Sequence, residues 1–342
     1  MIKLVRPKKI LIVKMSAIGD VIQTLLALNV LKRSCEDVSI DWLVEDKAAA
    51  VLEGHPDINR LIIFNRKQKR IRECIQKLRK SNYDWAIDFQ GTFKSSLFMR
   101  FSKAHFRIGY QDPREPCSFL YNVCVKSGNK DVLHSVRNLN LLKQLGISKD
   151  RPLFNFPIGE KAEEKIENLL EEKLSTETYF SLNAVASRPA NRWGISNFKK
   201  LIQKFREYSC DTIFLLGGSQ DVEDHKFLAD GLENVVDLTG SLSLKESAAL
   251  LKRSLFFISG DTGPLHMAAS VGCPVLGIYG PTNVRRTGPF QKDAFLVQKH
   301  VDCQPCYKKI CPLEHHQCMK DLTVEEVLIK LVELWRYSKK NV

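Results

Sequence analysis

The chain has 342 residues, 44% of them hydrophobic and 27% charged, with a formal charge of +13. This length exceeds what one core usually holds, so two domains of about 150 residues are expected, with ordinary soluble composition. No apolar run approaches the ~18–20 residues of a membrane span, and the short apolar opening at 10–13 has neither the length nor the cleavage site of a secretory signal, so a cytoplasmic protein is expected.

Taken in chain order, residues 10–14 read as a first β-strand. A helix follows over 21–33, with Val21, Ile22, Leu25, Leu28 and Leu31 on its apolar face. Further strands are expected at 38–44, 60–64 and 85–89. Between Arg60 and Lys80 stand nine Lys or Arg and one acid, Glu73, a density that suits a polyanionic partner and equally a solvated helix face. No zinc-finger or RNA-binding pattern points to nucleic acid, so none is expected as a partner. A second strand series is expected at 179–182, 212–216, 235–238, 255–259 and 275–279, separated by helices near 196–207, 220–231, 243–253 and 262–271. Strands alternating with helices imply parallel βαβ units. The stretch 146–177, with its proline and then the charged run 160–173, reads as the domain junction. The expected architecture is α/β: two Rossmann-like domains, 1–160 and 161–322, facing across a cleft, with ligands beyond the carboxyl ends of the strands. The last piece, 323–342, is an amphipathic helix expected to pack back on the N-terminal domain.

Four segments carry chemistry. In Met15-Ser16-Ala17-Ile18-Gly19-Asp20, between the first strand and helix, Gly19 permits close approach to the backbone and Asp20 is either a helix cap or a general base. No G-x-G-x-x-G fingerprint is present. Ser259-Gly260-Asp261-Thr262-Gly263-Pro264-Leu265-His266 follows an apolar strand and opens a helix, the arrangement of a diphosphate site built from backbone N–H groups, the Thr262 hydroxyl and His266. Its plainer reading is a capped helix. Ser187-Arg188-Pro189-Ala190-Asn191-Arg192-Trp193-Gly194 offers arginines for phosphate oxygens, with Trp193 as a packing anchor. Gly217-Gly218-Ser219-Gln220-Asp221 lets a ligand near the backbone, with Asp221 placed for ribose hydroxyls. Of ten cysteines, Cys303, Cys306, Cys311 and Cys318 cluster beside His315 and His316. Four thiols suit tetrahedral zinc, but the spacing does not match paired C-x2-C knuckles, and no metal is expected. The other six read as small buried or semi-buried residues, and with no secretory signal a disulfide framework is not expected.

These motifs together resemble the ADP-heptose:lipopolysaccharide heptosyltransferases of glycosyltransferase family 9. The resemblance runs over nearly the whole chain: ILIVKMSAIGDVIQTLLAL at the start, DFQGTFKSSL, REPCSFLYN, RPANRW, and ISGDTGPLHMAASVGCPVLGIYGPT as the most specific. It implies a GT-B fold, an acceptor on the N-terminal domain and an ADP-linked heptose on the C-terminal one, and inversion at the anomeric carbon with no required cofactor. The family's catalytic aspartate falls on Asp20 and its phosphate-contacting lysine on Arg192. Its ribose-binding glutamate falls on Asp221, and its phosphate and sugar site on Asp261, Thr262, Gly263 and His266, with Ser187 alongside. Acceptor contacts are expected from Ser16, Gly19, Arg60, Arg66, Lys67, Gln90, Lys94 and Arg114. The segment Arg114-Glu115-Pro116 is closer to heptosyltransferase I, which adds the first heptose to Kdo. The expected partners are a nucleotide sugar, a Kdo-lipid A or inner-core acceptor, and the cytoplasmic face of the inner membrane. A later-acting heptosyltransferase, a relative with another donor, and a non-catalytic nucleotide- or membrane-binding scaffold are the competing readings. The last has no use for a carboxylate at Asp20.

Overall fold

A computed structural model describes residues 4–35, 37–65 and 71–341. The chain divides into two compact units, Met1–Pro157 and Ile158–Val342, close to the boundary expected from the sequence.

The first unit runs β1 (Lys9–Val13), α1 (Ile18–Ser34), β2 (Ser39–Glu45), α2 (Asp46–Ala49), β3 (Arg60–Phe64), α3 (Ile71–Arg79), β4 (Trp85–Asp88), α4 (Phe93–Phe101), β5 (Phe106–Tyr110), β6 (Val123–Val125) and α5 (His134–Gln144). Its six strands are all parallel, in the order β3-β2-β1-β4-β5-β6. Central strands of such a sheet are covered on both faces, and Ile10, Leu11, Ile12 and Val13 are accordingly buried without alternation. Helix α1 packs against α5, and its two buried polar side chains are matched there. Gln23 Oε1 accepts from the Ser135 N–H at 3.2 Å, and Thr24 Oγ1 accepts from Asn138 Nδ2 at 3.1 Å.

The second unit runs α6 (Glu160–Lys173), β7 (Tyr179–Asn183), α7 (Ile195–Phe205), β8 (Thr212–Leu215), α8 (Val222–Ala229), β9 (Val235–Asp237), α9 (Leu244–Arg253), β10 (Phe257–Gly260), α10 (Gly263–Ser270), β11 (Val275–Tyr279), α11 (Val284–Thr287), β12 (Ala294–Gln298), α12 (Gln317–Lys320) and α13 (Val324–Lys339). Its sheet, β12-β11-β10-β7-β8-β9, repeats the order of the first when read from the other edge. In each unit the direction of strand succession reverses beside the first strand, between β1 and β4 and between β7 and β10. That is where a doubly wound sheet opens a crevice at its carboxyl edge.

Several sequence expectations are corrected. The charged run at 160–173 is a regular helix, α6, with Ala162 and Ile166 buried. Strands β5, β6 and β12, which were not expected from the sequence, complete the sheets. The terminal helix belongs to the second unit's own core. Val327, Leu331 and Leu334 of α13 are buried with Phe198, Leu201 and Phe205 of α7, and Trp335 meets Phe205 edge to face at 6.2 Å. Its start is fixed by a reciprocal cap between Thr323 and Glu326.

Candidate active site

In the first unit the crevice between β1 and β4 is built around Asp20, in the first turn of α1. Lys14, the residue after β1, is buried. Its Nζ donates to the Phe89 carbonyl at 3.2 Å and lies 3.7 Å from Asp20 Oδ2. Asp20 also accepts from the Ala17 N–H at 3.4 Å, the backward half of a helix cap, yet its side chain remains one-third exposed. Cap and base are therefore compatible roles for this carboxylate. Gln90, from the loop after β4, accepts from the Met15 and Ser16 N–H groups at 3.0 and 3.1 Å and so fixes the β1–α1 turn across the crevice. The Glu45 N–H, at the end of β2, donates to the Met15 carbonyl at 3.0 Å, and the Glu45 carboxylate pairs with Lys94. The structure thus brings Ser16, Gly19, Asp20, Gln90 and Lys94 to one sheet edge.

Beneath this edge Asp88 is fully buried at the end of β4. It accepts from the Gln90 and Gly91 N–H groups at 2.9 and 3.0 Å and from the Ser95 and Tyr121 hydroxyls, each at 2.9 Å. Burial pushes its carboxyl above the usual range, against the pull of these four donors. Gly91 turns with φ +66°, and a Cβ there would come within 3.2 Å of the Arg114 backbone nitrogen. The Arg114 segment is docked in turn by Glu115, which accepts from the Phe93 N–H at the start of α4 and leaves Arg114 exposed. Tyr121 reaches Asp88 by lying over Gly109 of β5, where a Cβ would stand 2.3 Å from its ring.

Arg60 is a correction. It is the first residue of β3, at the amino edge of the sheet, and is held there by Asp41 (2.8 Å), Tyr83 and Ser81. Asp41 is fully buried, so Arg60 neutralises a core carboxylate. The expected contacts Arg66 and Lys67 lie outside the described residues.

In the second unit the β7/β10 crevice is bridged by Asn191, whose Nδ2 donates to the Asp261 carbonyl at 3.1 Å. Its Oδ1 is buried and, among the described residues, has no partner. Arg192 is exposed. Its Nε donates to the Ala186 carbonyl at 2.8 Å, and among the described residues no partner engages its terminal Nη groups. Ser187 is exposed on the same loop. Thr262 precedes α10, but its hydroxyl pairs with Ser259 Oγ at 2.9 Å instead of capping the helix, and Pro264 in the first turn has no N–H. Asp261 accepts from Thr282 Oγ1 at 2.8 Å. His266 is buried in the first turn of α10. The set Ser187, Arg192, Asp261, Thr262, Gly263 and His266 therefore shares one sheet edge. The turn carrying Arg192 is propped by the cysteine loop: the Ala190 N–H donates to the Lys309 carbonyl at 3.0 Å, and His316 Nε2 lies 2.8 Å from the Ala190 carbonyl.

Asp221 is buried, and its Oδ2 accepts from the Gly218 N–H and Gln220 Nε2 at 2.9 and 3.0 Å, which closes its own turn. Behind it His225 is fully buried. Its Nε2 accepts from the Ala184 N–H at 3.2 Å, and its Nδ1 donates to Thr239 Oγ1 at 2.6 Å, since that hydroxyl donates onward to Asp237. Both ring nitrogens serve a neutral imidazole, and burial lowers its affinity for a proton.

All ten cysteines are free. Cys124 and Cys210 are exposed, unlike the burial expected of the scattered six. Cys303, Cys306, Cys311 and Cys318 line one pocket with His315 and His316. Burial, and then the nearness of the other three sulfurs, pushes the Cys318 thiol up to about 11. Among the described residues no three His, Cys, Asp or Glu side chains are set to hold a metal ion. Trp193 packs edge to face on Phe198 and donates to the Leu322 carbonyl at 2.9 Å, an anchor as expected. Lys14, Glu45, Asn191 and Thr282 were not singled out from the sequence. For Lys14 the available signal was a charge directly after an apolar central strand.

Comparison with known proteins shows the family and the fold. The family model of glycosyltransferase family 9 (heptosyltransferase) matches residues 71–317. Lipopolysaccharide heptosyltransferase 1 of Campylobacter coli is 27% identical, over 96% of this chain and 99% of that protein. The Escherichia coli K12 protein of the same name is 28% identical, over 83% of this chain and 92% of that protein. Among solved structures, E. coli heptosyltransferase WaaC with ADP superposes with a TM-score of 0.75 at 25% identity, covering 95% of this chain and 99% of that one. A family 9 glycosyl transferase of Veillonella parvula gives 0.86 at 22% identity, over 96% and 98% of the two chains. The fold is of the GT-B type, and the chain belongs to glycosyltransferase family 9, the heptosyltransferases.

Proposed function

We propose that this enzyme transfers heptose from ADP-L-glycero-D-manno-heptose to the Kdo residue of the lipopolysaccharide inner core, adding the first heptose with inversion. The observation that carries this reading is the setting of Asp20: ionic contact with a buried lysine, a helix start behind it, and an open face at the crevice. An acceptor hydroxyl meeting that face gives its proton to the Asp20 carboxylate as its oxygen bonds to the anomeric carbon. The bond from that carbon to the diphosphate breaks, and ADP leaves with the electron pair. Arg192, the Thr262 hydroxyl and the backbone N–H of Gly263 are the groups that would meet the charge growing on the diphosphate. In this reading these residues suffice for the leaving group, and no metal is required. Ser16, Gly19, Gln90, Lys94 and Arg114 are assigned to the acceptor, and Ser187, Asp261 and His266 to the donor. The acceptor would be met at the cytoplasmic face of the inner membrane.

Relatives named heptosyltransferases 1, 2 and 3 stand at similar identities of 28%, 26% and 25%, so acceptor choice is a matter for assay. The test supplies ADP-heptose with Kdo2-lipid A or with a core already carrying one heptose, and follows acceptor mass and ADP release. A gain of one heptose on Kdo2-lipid A, with no ADP released when acceptor is omitted, is expected. Transfer only to the heptosylated core would assign a later step. ADP binding with no transfer to either acceptor would favour the non-catalytic scaffold.

A further inference from the structure

The first unit carries an apolar patch that its core does not use. Phe93 and Leu97, one turn apart on α4, are 49% and 36% exposed, and Phe119, in the short turn at 118–120 that packs on α4, is 72% exposed. Phe93 and Phe119 touch, with ring centroids 6.4 Å apart. Single exposed apolar residues are ordinary, but two phenylalanines in mutual contact beside a leucine form a patch. The patch has one carboxylate at its edge, Glu115 on the Phe93 N–H, and is otherwise flanked by cations. Helices α3 and α4 pack side by side and carry Arg72, Lys77, Arg79, Lys94 and Arg100 against one acid, Glu73. Lys94 is engaged by Glu45, while Arg72, Lys77, Arg79 and Arg100 are exposed. The Arg79 guanidinium lies over the Phe101 ring at 5.5 Å, so the cationic helix is held beside the apolar one.

Aromatic side chains rimmed by lysine and arginine match the two layers of an anionic bilayer surface. The rings enter the boundary between headgroups and acyl chains, and the cations remain at the phosphates. A protein partner of complementary shape would ask for a matching acidic rim, whereas an anionic lipid surface supplies negative charge in every direction around the rings. We propose that Phe93, Leu97 and Phe119, bordered by the cations of α3 and α4, form the surface by which this enzyme docks on anionic phospholipid. The proposal deepens the functional reading above, because a lipid-anchored acceptor must be met at a membrane. It rests on that reading for its purpose but not for its measurement.

The experiment is sedimentation of the full chain with vesicles of phosphatidylcholine alone or with about 30% phosphatidylglycerol, with no acceptor or nucleotide present. Binding is expected only to the phosphatidylglycerol vesicles and should weaken with added salt. The double substitution Phe93→Ser/Phe119→Ser and, separately, Lys77→Glu/Arg79→Glu should each lower the partition coefficient about tenfold or more. Both variants should keep the wild-type melting temperature and the wild-type rate on a water-soluble acceptor fragment lacking acyl chains. Undiminished partition of either folded variant overturns the proposal, as does failure of the wild type to bind. Self-association without lipid that is abolished by the phenylalanine substitutions would assign the patch to a second copy of the chain and also overturn it. If no variant and no wild type transfers heptose, the functional reading fails while the partition data still decide this one.

Discussion

The two crevices occupy the same topological position and carry different side chains. Between β1 and β4 the central group is a carboxylate, Asp20, steadied by the ammonium of Lys14. Between β7 and β10 the groups turned toward the edge are a guanidinium, a hydroxyl and the start of a helix with no side-chain cap. The strand order is shared, so the difference lies wholly in the loops that leave the strand ends. A carboxylate repels a diphosphate and suits proton removal. An uncapped helix start beside an arginine suits a diphosphate. With Asp20 as the proposed base and Arg192 as the proposed phosphate clamp, chemistry would be divided between two copies of one scaffold, each tuned by a few side chains.

The sharpest way to break this division is Asp20→Asn. The amide keeps the contact to the Ala17 N–H but cannot take a proton. Turnover should fall by about 10²–10⁴-fold, while the dissociation constant for ADP, read by calorimetry, stays where it was. Near-normal turnover would remove Asp20 from the mechanism, and a parallel loss of ADP binding would mean that the two crevices are not separable. Next in size is Arg192→Ala. Charge-assisted bonds to phosphate are worth about 1.5–3 kcal/mol, so kcat/KM should drop by roughly 10–150-fold, with weaker ADP binding. An unchanged ADP affinity would show that the helix start alone holds the diphosphate.

A smaller effect is expected from pH. The folded protein resists protonation of His225, whose affinity for a proton burial lowers from the ordinary value of 6.5. As pH falls through that value the unfolded chain takes up the proton first, which draws the equilibrium toward unfolding. The melting temperature of the wild type should therefore decline between pH 7 and pH 5.5, and His225→Gln, though less stable at pH 7, should decline less. Equal slopes would mean that other groups set the acid limb. The smallest effect is expected from chelation. Elemental analysis should find no stoichiometric zinc or iron, and chelator should leave activity and melting temperature unchanged. About one metal per chain, with a large fall in melting temperature on its removal, would make the cysteine loop a metal-dependent prop of the Arg192 turn.

Sequence reading reached the ends of β1 and β10 because they lie at continuously buried apolar runs. The apolar runs before Met15 and before Ser259 cannot be mistaken, and the glycines and acids after them mark the turns. It failed where burial is uneven. Strand β6 is only three residues long and β12 is only half-buried along its apolar run, and the charge of α6 hid a helix whose buried face is only a narrow stripe. Arg60 illustrates a second limit. Its charge attracts a functional reading, but a buried partner, Asp41, already uses it. Lys14 is the converse, a buried charge beside Asp20 that the sequence concealed because a lysine after a strand usually points to solvent. Which charges are satisfied internally depends on contacts such as Arg60 to Tyr83, set by register between strands and not by spacing along the chain.

The Tyr121 ring leaves no room for a methyl group at Gly109. Adding one would push the phenol off Asp88, and with it would go one of the four bonds that hold the Gln90 turn. A saturation library scored by activity would then mark Gly109 as intolerant, with the same signature as Asp20, although it never approaches substrate. Tolerance maps of this enzyme will therefore trace its supporting lattice as well as its chemistry. The two can be told apart by melting temperature, which should fall for Gly109→Ala and hold for Asp20→Asn.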